Sequence, residues 1–322
     1  MDWTYLSENS SLSEEFIGEH IDELNWDKIS RFQRLSERFI EKYSNKVNWR
    51  YITEHQKLSE EFIEKHKDKI DWYLVSQYQE LSEEFIIRYS DKLNWYDISI
   101  KQKLSEPFIE KYINKLDWGY ISEYQKLSGK FIEKHSGKLN WDLISQYQKL
   151  SAEFIEKNKR KVNWKYISLY QKLSEEFIEK HLNRVDWIYI SSSQNLSEEF
   201  IERNSDKINW VKISAYQKLS EEFIAKYKDK LYWGSISCCQ KISESFMEKY
   251  KDGLNWYWIS QSQELSEDFI EKHSGELDWS AISSYQKLSG SFIEKHFDEL
   301  YFPFLVYNDK LEEEARLKLY DL

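Results

Sequence analysis

LSEEFIEKHKDKIDWYLVSQYQE, residues 58–80, holds two helix starts written in one grammar. Ser59 is placed as an N-cap: its hydroxyl can accept from the free amides of a first turn opened by Glu60 and Glu61, whose charge suits the positive end of a helix dipole. Leu58 before the cap and Ile63 five residues later take the two positions of a hydrophobic staple. Phe62 and Ile63 give this first helix, helix A, an apolar stripe over barely three turns. Lys65, four residues after Glu61, is set for an i, i+4 pair, and Lys69 complements the helix end. Asp68 marks the turn, a place taken by Gly137 and Gly275 in other units. The pattern then restarts, with Ile70 before the cap, Asp71 as N-cap, Trp72 as the first helical residue and Val75 as staple partner. This helix B runs about two turns and closes at Gln79. Apolar residues at Trp−2, Trp and Trp+3 keep helical spacing and lack the alternation of a strand, so the unit is all-α.

The unit recurs without a slip. Trp3, Trp26, Trp49 and their successors to Trp279 lie 23 residues apart, Phe302 holds the same phase, and the 322 residues equal 14 periods. A fixed period of this size marks stacked supersecondary units, none of which buries enough surface to fold alone. The expected fold is an α-solenoid of tandem 23-residue helix-turn-helix repeats, in one elongated domain. Residues 1–11 supply a half-repeat cap with a helix B only, 12–287 hold twelve complete repeats, and 288–322 form a degenerate repeat with a capping helix. In that last segment Phe302 replaces tryptophan, Asp309 replaces glutamine, and Ala315 and Arg316 replace Phe-Ile in a final helix, Leu311 to Leu322. The indoles, first in helix B with apolar neighbours, are expected in the core. The glutamine at Trp+7, present from Gln33 to Gln286 in all twelve complete units, is expected to satisfy loop backbone as a hydrogen-bonded ladder.

Several function classes are disfavoured. With 57 acidic and 46 basic residues the net charge is −11, which argues against nucleic acid or an anionic membrane as the default partner. No apolar run is long enough to span a bilayer, and Met1-Asp2-Trp3-Thr4-Tyr5 lacks the basic-then-apolar layout of a secretory signal. A cytoplasmic, reducing location is expected, in which Cys238 and Cys239 stay free thiols. Phosphate loops, nucleophile elbows, HExxH and CxxC motifs are missing from the sequence. Carboxylate pairs such as Glu60-Glu61 and Glu175-Glu176 recur in register, whereas an active site is a unique constellation. His20, His66, His135, His181, His273 and His296 share one repeat position with tyrosines and with Asn158 and Asn204, an exchange no metal ligand tolerates. No enzyme activity, cofactor or metal is expected.

Function is sought where the repeats differ. Helix B varies most at Trp+1, +2, +5 and +6, one helical face that over thirteen repeats carries 14 of the 23 tyrosines while six acidic and six basic residues cancel. Tyrosine-rich, charge-balanced surface is the composition of protein-recognition hot spots. Tyr73, Tyr78, Tyr96, Tyr120, Tyr124, Tyr166, Tyr170, Tyr189 and Trp258 are the candidate anchors for a protein or peptide, against the alternative that they pack between repeats. Modular binding of single-stranded RNA or DNA is the competing function, supported by lysine rows along helix A (Lys42, Lys65, Lys111, Lys134) and the B-to-A turn (Arg34, Lys57, Lys103, Lys126). Glutamate rows alongside largely cancel that field.

The units LSEEFIEKHKDKIDWYLVSQYQ and LSEEFIEKHLNRVDWIYISSSQ resemble tandem short Trp-bearing helical repeats found in proteins of large DNA viruses and phages. The resemblance covers nearly the whole chain. It implies an α-solenoid and assigns no activity and no binding residues.

Overall fold

A computed structural model describes residues 2–9, 11–311 and 313–319. All regular structure among them is helical. Six-residue A helices such as Glu60–Lys65 alternate with seven-residue B helices such as Trp72–Tyr78, following a first, lone B helix at Trp3–Asn9. The chain divides into two compact units, residues 1–163 and 164–322. Within each, the B helix of one repeat packs against the B helix of the next, the neighbour-to-neighbour stacking of a solenoid.

The caps act as the sequence dictates. Ser59 Oγ accepts from the Phe62 amide at 3.2 Å, and Asp71 accepts from the Tyr73 and Leu74 amides at 3.0 and 3.3 Å. Tyr232 and Tyr301, which break the Asn/Asp pattern, offer no side-chain cap. Helix A is shorter than the three turns expected, because His66 already leaves helical geometry at φ −109°, ψ 26°. The turn is then closed by the Lys69 and Ile70 amides donating to the His66 carbonyl at 2.9 and 3.3 Å. No described residue has a positive φ, so Asp68, Gly137 and Gly275 exchange at this turn without a left-handed requirement.

Isoleucines make the dry core. Ile40 and Ile63 of the A helices and Ile29 and Ile52 of the B helices are completely buried, as are Ile224 and Ile236 in the second unit. The tryptophans, expected there, are half-buried instead. Trp49 shows why. Its Nε1–H donates to the Ser44 carbonyl at 2.9 Å, an acceptor found only at the turn, so the ring must sit at the core margin. There it stacks on Phe62 of the next repeat (6.2 Å, 21°), touches His66 at 4.8 Å, and has the Lys69 ammonium 5.1 Å over its ring. Each indole rivets one repeat to the next.

Two buried polar ladders run beside the apolar core. Gln56 Nε2 donates to the carbonyls of Ser30 and Gln33 at 3.2 and 2.8 Å, and its Oε1 accepts from the Leu35 amide at 3.0 Å. The expected glutamine ladder is therefore real, and every rung reaches back to the preceding repeat. The second ladder was not anticipated. Ser30, completely buried, donates to the Trp26 carbonyl at 2.7 Å and accepts from the Asn48 amide at 2.9 Å. Its sequence signal is a serine at Trp+4 in every repeat but one, where Thr53 stands in.

The last repeat departs from expectation in one residue. Its B helix, Phe302–Tyr307, is one residue short, and Asn308 rather than Asp309 takes the glutamine's place, donating to Ser283 and Gln286 carbonyls at 2.9 Å each. Starting one residue earlier compensates for the shorter side chain. Arg316 Nη2 then donates to the Asn308 carbonyl at 3.2 Å and ends the series. The final helix spans Glu313–Leu319. Met1 and Ser10 of the expected N-terminal cap, and Glu312 and residues 320–322 of the expected C-terminal helix, lie outside the described residues.

Candidate interaction surface

The variable face of helix B splits into two rows. Tyr73, Tyr78, Tyr96, Tyr124 and Tyr170, at Trp+1 or Trp+6, are about half exposed (48–53%). Tyr120, Tyr166 and Tyr189, at Trp+2, are less exposed, because Trp+2 faces the B helix before it. The Tyr120 and Tyr96 hydroxyls lie 2.5 Å apart with their rings edge-to-face at 4.8 Å, and this hydrogen bond pushes the Tyr120 phenol up to about 12. The same step pairs Lys28 with Glu8 at 2.7 Å, sets the Arg31 guanidinium 5.7 Å over Tyr51, and puts Lys165 5.7 Å over Tyr189. Trp258 lies at the exposed margin, 39% accessible and edge-on to Tyr257. Tyr147, Tyr216 and Tyr285 hold the same outward Trp+6 place without having been singled out; their shared register was the available signal. Asp97 is the buried acid of this face, with one carboxylate oxygen unpartnered and its carboxyl pushed up by burial.

The two lysine rows differ in what they meet. Along helix A, basic residues pair with a glutamate of the preceding repeat: Arg88 with Glu64 at 2.9 Å, Lys134 with Glu110 at 2.7 Å, Lys226 with Glu202 at 2.7 Å. Lys65 pairs with Glu41 and not, as its spacing suggests, with Glu61. Identical helices stacked side by side bring residue i against i+24. His273 joins Lys272 on Glu248, and hydrogen bonds from Lys272 and then His273 hold that carboxyl down at about 2.

On the B-to-A turn, Arg34, Lys57, Lys103, Lys126, Lys149, Lys172 and Lys218 are exposed and have no carboxylate within ion-pair distance among the described residues. Where an A helix opens with glutamate, that carboxylate lies on the same edge, spent on the N-cap serine of the next repeat, as Glu106 is on Ser128. Ser105 donates its N–H and Oγ to Glu83 at 2.5 and 3.0 Å, and Ser220 does so to Glu198 at 2.6 and 3.0 Å. Two consecutive repeats, at Gly129 and Ala152, carry no carboxylate there. Shallow grooves open along this edge. One of about 360 Å³ lies between Leu81-Ser82 and Lys101-Gln102-Lys103, and one of about 280 Å³ is walled by Tyr216, Lys218 and Lys241.

Cys238 and Cys239 are free, and burial followed by a hydrogen bond with Cys239 pushes the Cys238 thiol up to about 11, far from a reactive thiolate. Among the described residues no three His, Cys, Asp or Glu side chains gather to hold a metal, and no helix is long and apolar enough to cross a membrane. Comparison with family models, curated proteins and solved structures finds no match for the chain.

Proposed function

We propose that the chain is a non-enzymatic repeat scaffold that holds a protein or peptide along the outward row of its B helices, with Tyr73, Tyr78, Tyr96 and Tyr124 as anchors in residues 1–163 and Tyr170 and Trp258 in 164–322. The supporting observation is the row itself: half-exposed phenols recurring on short helices whose other faces are locked by buried ladders. Such rings offer large contact area at little cost in side-chain entropy. The glutamate, lysine and histidine clusters recur in register along the repeats, whereas a catalytic set is a unique constellation. Single-stranded nucleic acid is the competing partner, favoured by the exposed basic turns.

Replacing Tyr73, Tyr78, Tyr96 and Tyr124 together by alanine should leave the melting temperature within about 2 °C while abolishing capture of the partner recovered by the unaltered chain, since surface changes of this kind cost little stability. A collapse in melting would assign these rings to packing and defeat the reading. Partner affinity should also change little between ~50 and ~200 mM salt, whereas a nucleic-acid contact through several phosphates would weaken by roughly a thousandfold.

A further inference from the structure

The row of B helices ends on an apolar one. Residues 301–307 read YFPFLVY, seven positions without a charge, and of these only Leu305 is buried. Tyr301, Phe302, Phe304, Val306 and Tyr307 lie open together, whereas the other B helices leave at most two large apolar side chains exposed among the described residues, as Tyr257 and Trp258. Val306 shows which face this is. Its place, four residues into the helix, holds serine or Thr53 in every repeat that carries the tryptophan. Ser283 there is completely buried, because the next B helix covers it, and its Oγ accepts from the Tyr301 amide at 2.9 Å. Val306 has no hydroxyl and is 53% exposed. The final helix, Glu313–Leu319, packs on the A helix Gly290–Lys295 and leaves this end of the B row open.

We propose that this face binds the same face of a second copy of the chain across a two-fold axis, an inference that goes beyond the scaffold reading and does not depend on it. The B-helix stacking interface continues here, but it cannot continue as a further repeat. Val306 offers no acceptor for the cap amide that Ser283 receives, so another B helix set in register would bury an unpaired N–H. The lone first B helix, Trp3–Asn9, supplies no apolar counterpart either, since Asp2, Thr4, Tyr5 and Asn9 are what it exposes. An isologous contact instead sets Phe302, Phe304, Val306 and Tyr307 against their own copies, the self-complementary arrangement of closed dimers. The area suffices. Aromatic side chains of ~200 Å², about half exposed, leave roughly 500 Å² open on one copy, and a pair would cover about 1,000 Å², the lower bound of specific interfaces. Asp298 and Glu299 before the segment and Asp309 after it are exposed, and solvent and salt screen their mutual repulsion. The charge-free stretch between them is where two chains of net charge −11 can meet.

Sedimentation velocity on the full chain tests this. Between ~1 and ~100 µM the chain should pass from monomer to dimer and form nothing larger. The dimer should be no weaker at ~500 mM than at ~50 mM salt, because screening relieves the acidic repulsion. Val306→Glu with Tyr307→Glu, two changes at exposed positions, should weaken association at least about tenfold with helicity intact. Val306→Ser, which restores the hydroxyl, should weaken it about threefold, while Tyr5→Glu and the joint alanine replacement of Tyr73, Tyr78, Tyr96 and Tyr124 should leave it unchanged. A chain that stays monomeric throughout, species that grow past the dimer, tighter association of Val306→Ser, or a dimer that dissolves in salt would each overturn the proposal. So would a dimer indifferent to the two glutamates, or one lost with the four tyrosines. Capture of a partner by the tyrosine row should survive the Val306 and Tyr307 changes, so the dimer can fail while the scaffold stands.

Discussion

At the scale of single residues, size and structural weight part company. Trp118 is the larger side chain, yet it is half-buried and contributes one hydrogen bond, from its indole to the Ile113 carbonyl at 3.0 Å. Gln125 is smaller, almost fully buried, and serves three backbone groups at once: the Ser99 and Gln102 carbonyls at 3.0 and 2.8 Å, and the Leu104 amide at 2.9 Å. Leaving buried polar groups unpaired costs about 1–3 kcal/mol apiece, while one lost hydrogen bond at a wet margin costs about 1 kcal/mol. Gln125→Leu should therefore destabilise the chain by about 3 kcal/mol in urea unfolding, and Trp118→Phe by no more than half of that. A reversed order would mean that the indoles, not the glutamines, hold the repeats together. Periodicity and caps were readable from the sequence because they depend on near neighbours along the chain: Ser59 and Asp71 cap where their types demand. The depth of Trp49 was not, since it depends on where its N–H finds an acceptor across the turn.

At the scale of the element, what matters is that every A helix has a twin beside it. The pairing of Lys65 was misassigned because a lysine row next to a glutamate row satisfies i, i+4 and i+24 equally well on paper; only stacking chooses. The split of the tyrosine face has the same origin. A helical wheel drawn for one B helix cannot tell Trp+2 from Trp+6, but the adjacent B helix covers one and leaves the other open. The inter-repeat pairs carry a pH signature. Glu248 is held down at about 2, and Glu41, Glu110, Glu133 and Glu271 are lowered in the same way by Lys65, Lys134, Lys157 and Lys295. A carboxyl with a depressed native value stabilises the fold above its ordinary range and loses that contribution as it is protonated. Thermal stability should thus fall as pH drops from about 4.5 towards 2, and Glu248→Gln should remove part of that slope. An unchanged slope in the variant would show the pair to be ornamental.

At the scale of the whole molecule, all that a repeat needs lies in its neighbours, so the chain is defined by its period more than by its length. Excising residues 74–96, one full period, joins Tyr73 to Asp97 and restores Trp, Ile, Ser and Gln to their places in helix B. That protein should keep its helicity per residue and melt within about 5 °C of the original, because only nearest-neighbour terms are lost. Excising 74–95 instead turns Ile98 and Gln102 by about 100° around the helix and should unfold the surrounding repeats. Circular dichroism on the two deletions decides the matter, and similar behaviour would refute the claim that the ladders set the register. The ladder also has a direction. Each glutamine Nε2 donates only to carbonyls of the repeat made before it, so a nascent chain leaving the ribosome can lock its penultimate unit as soon as the following one emerges, while the newest always waits with bare carbonyls. Synthesis and assembly share one polarity, and at the Asn308 rung it is the Arg316 guanidinium, not a glutamine, that meets the waiting carbonyl.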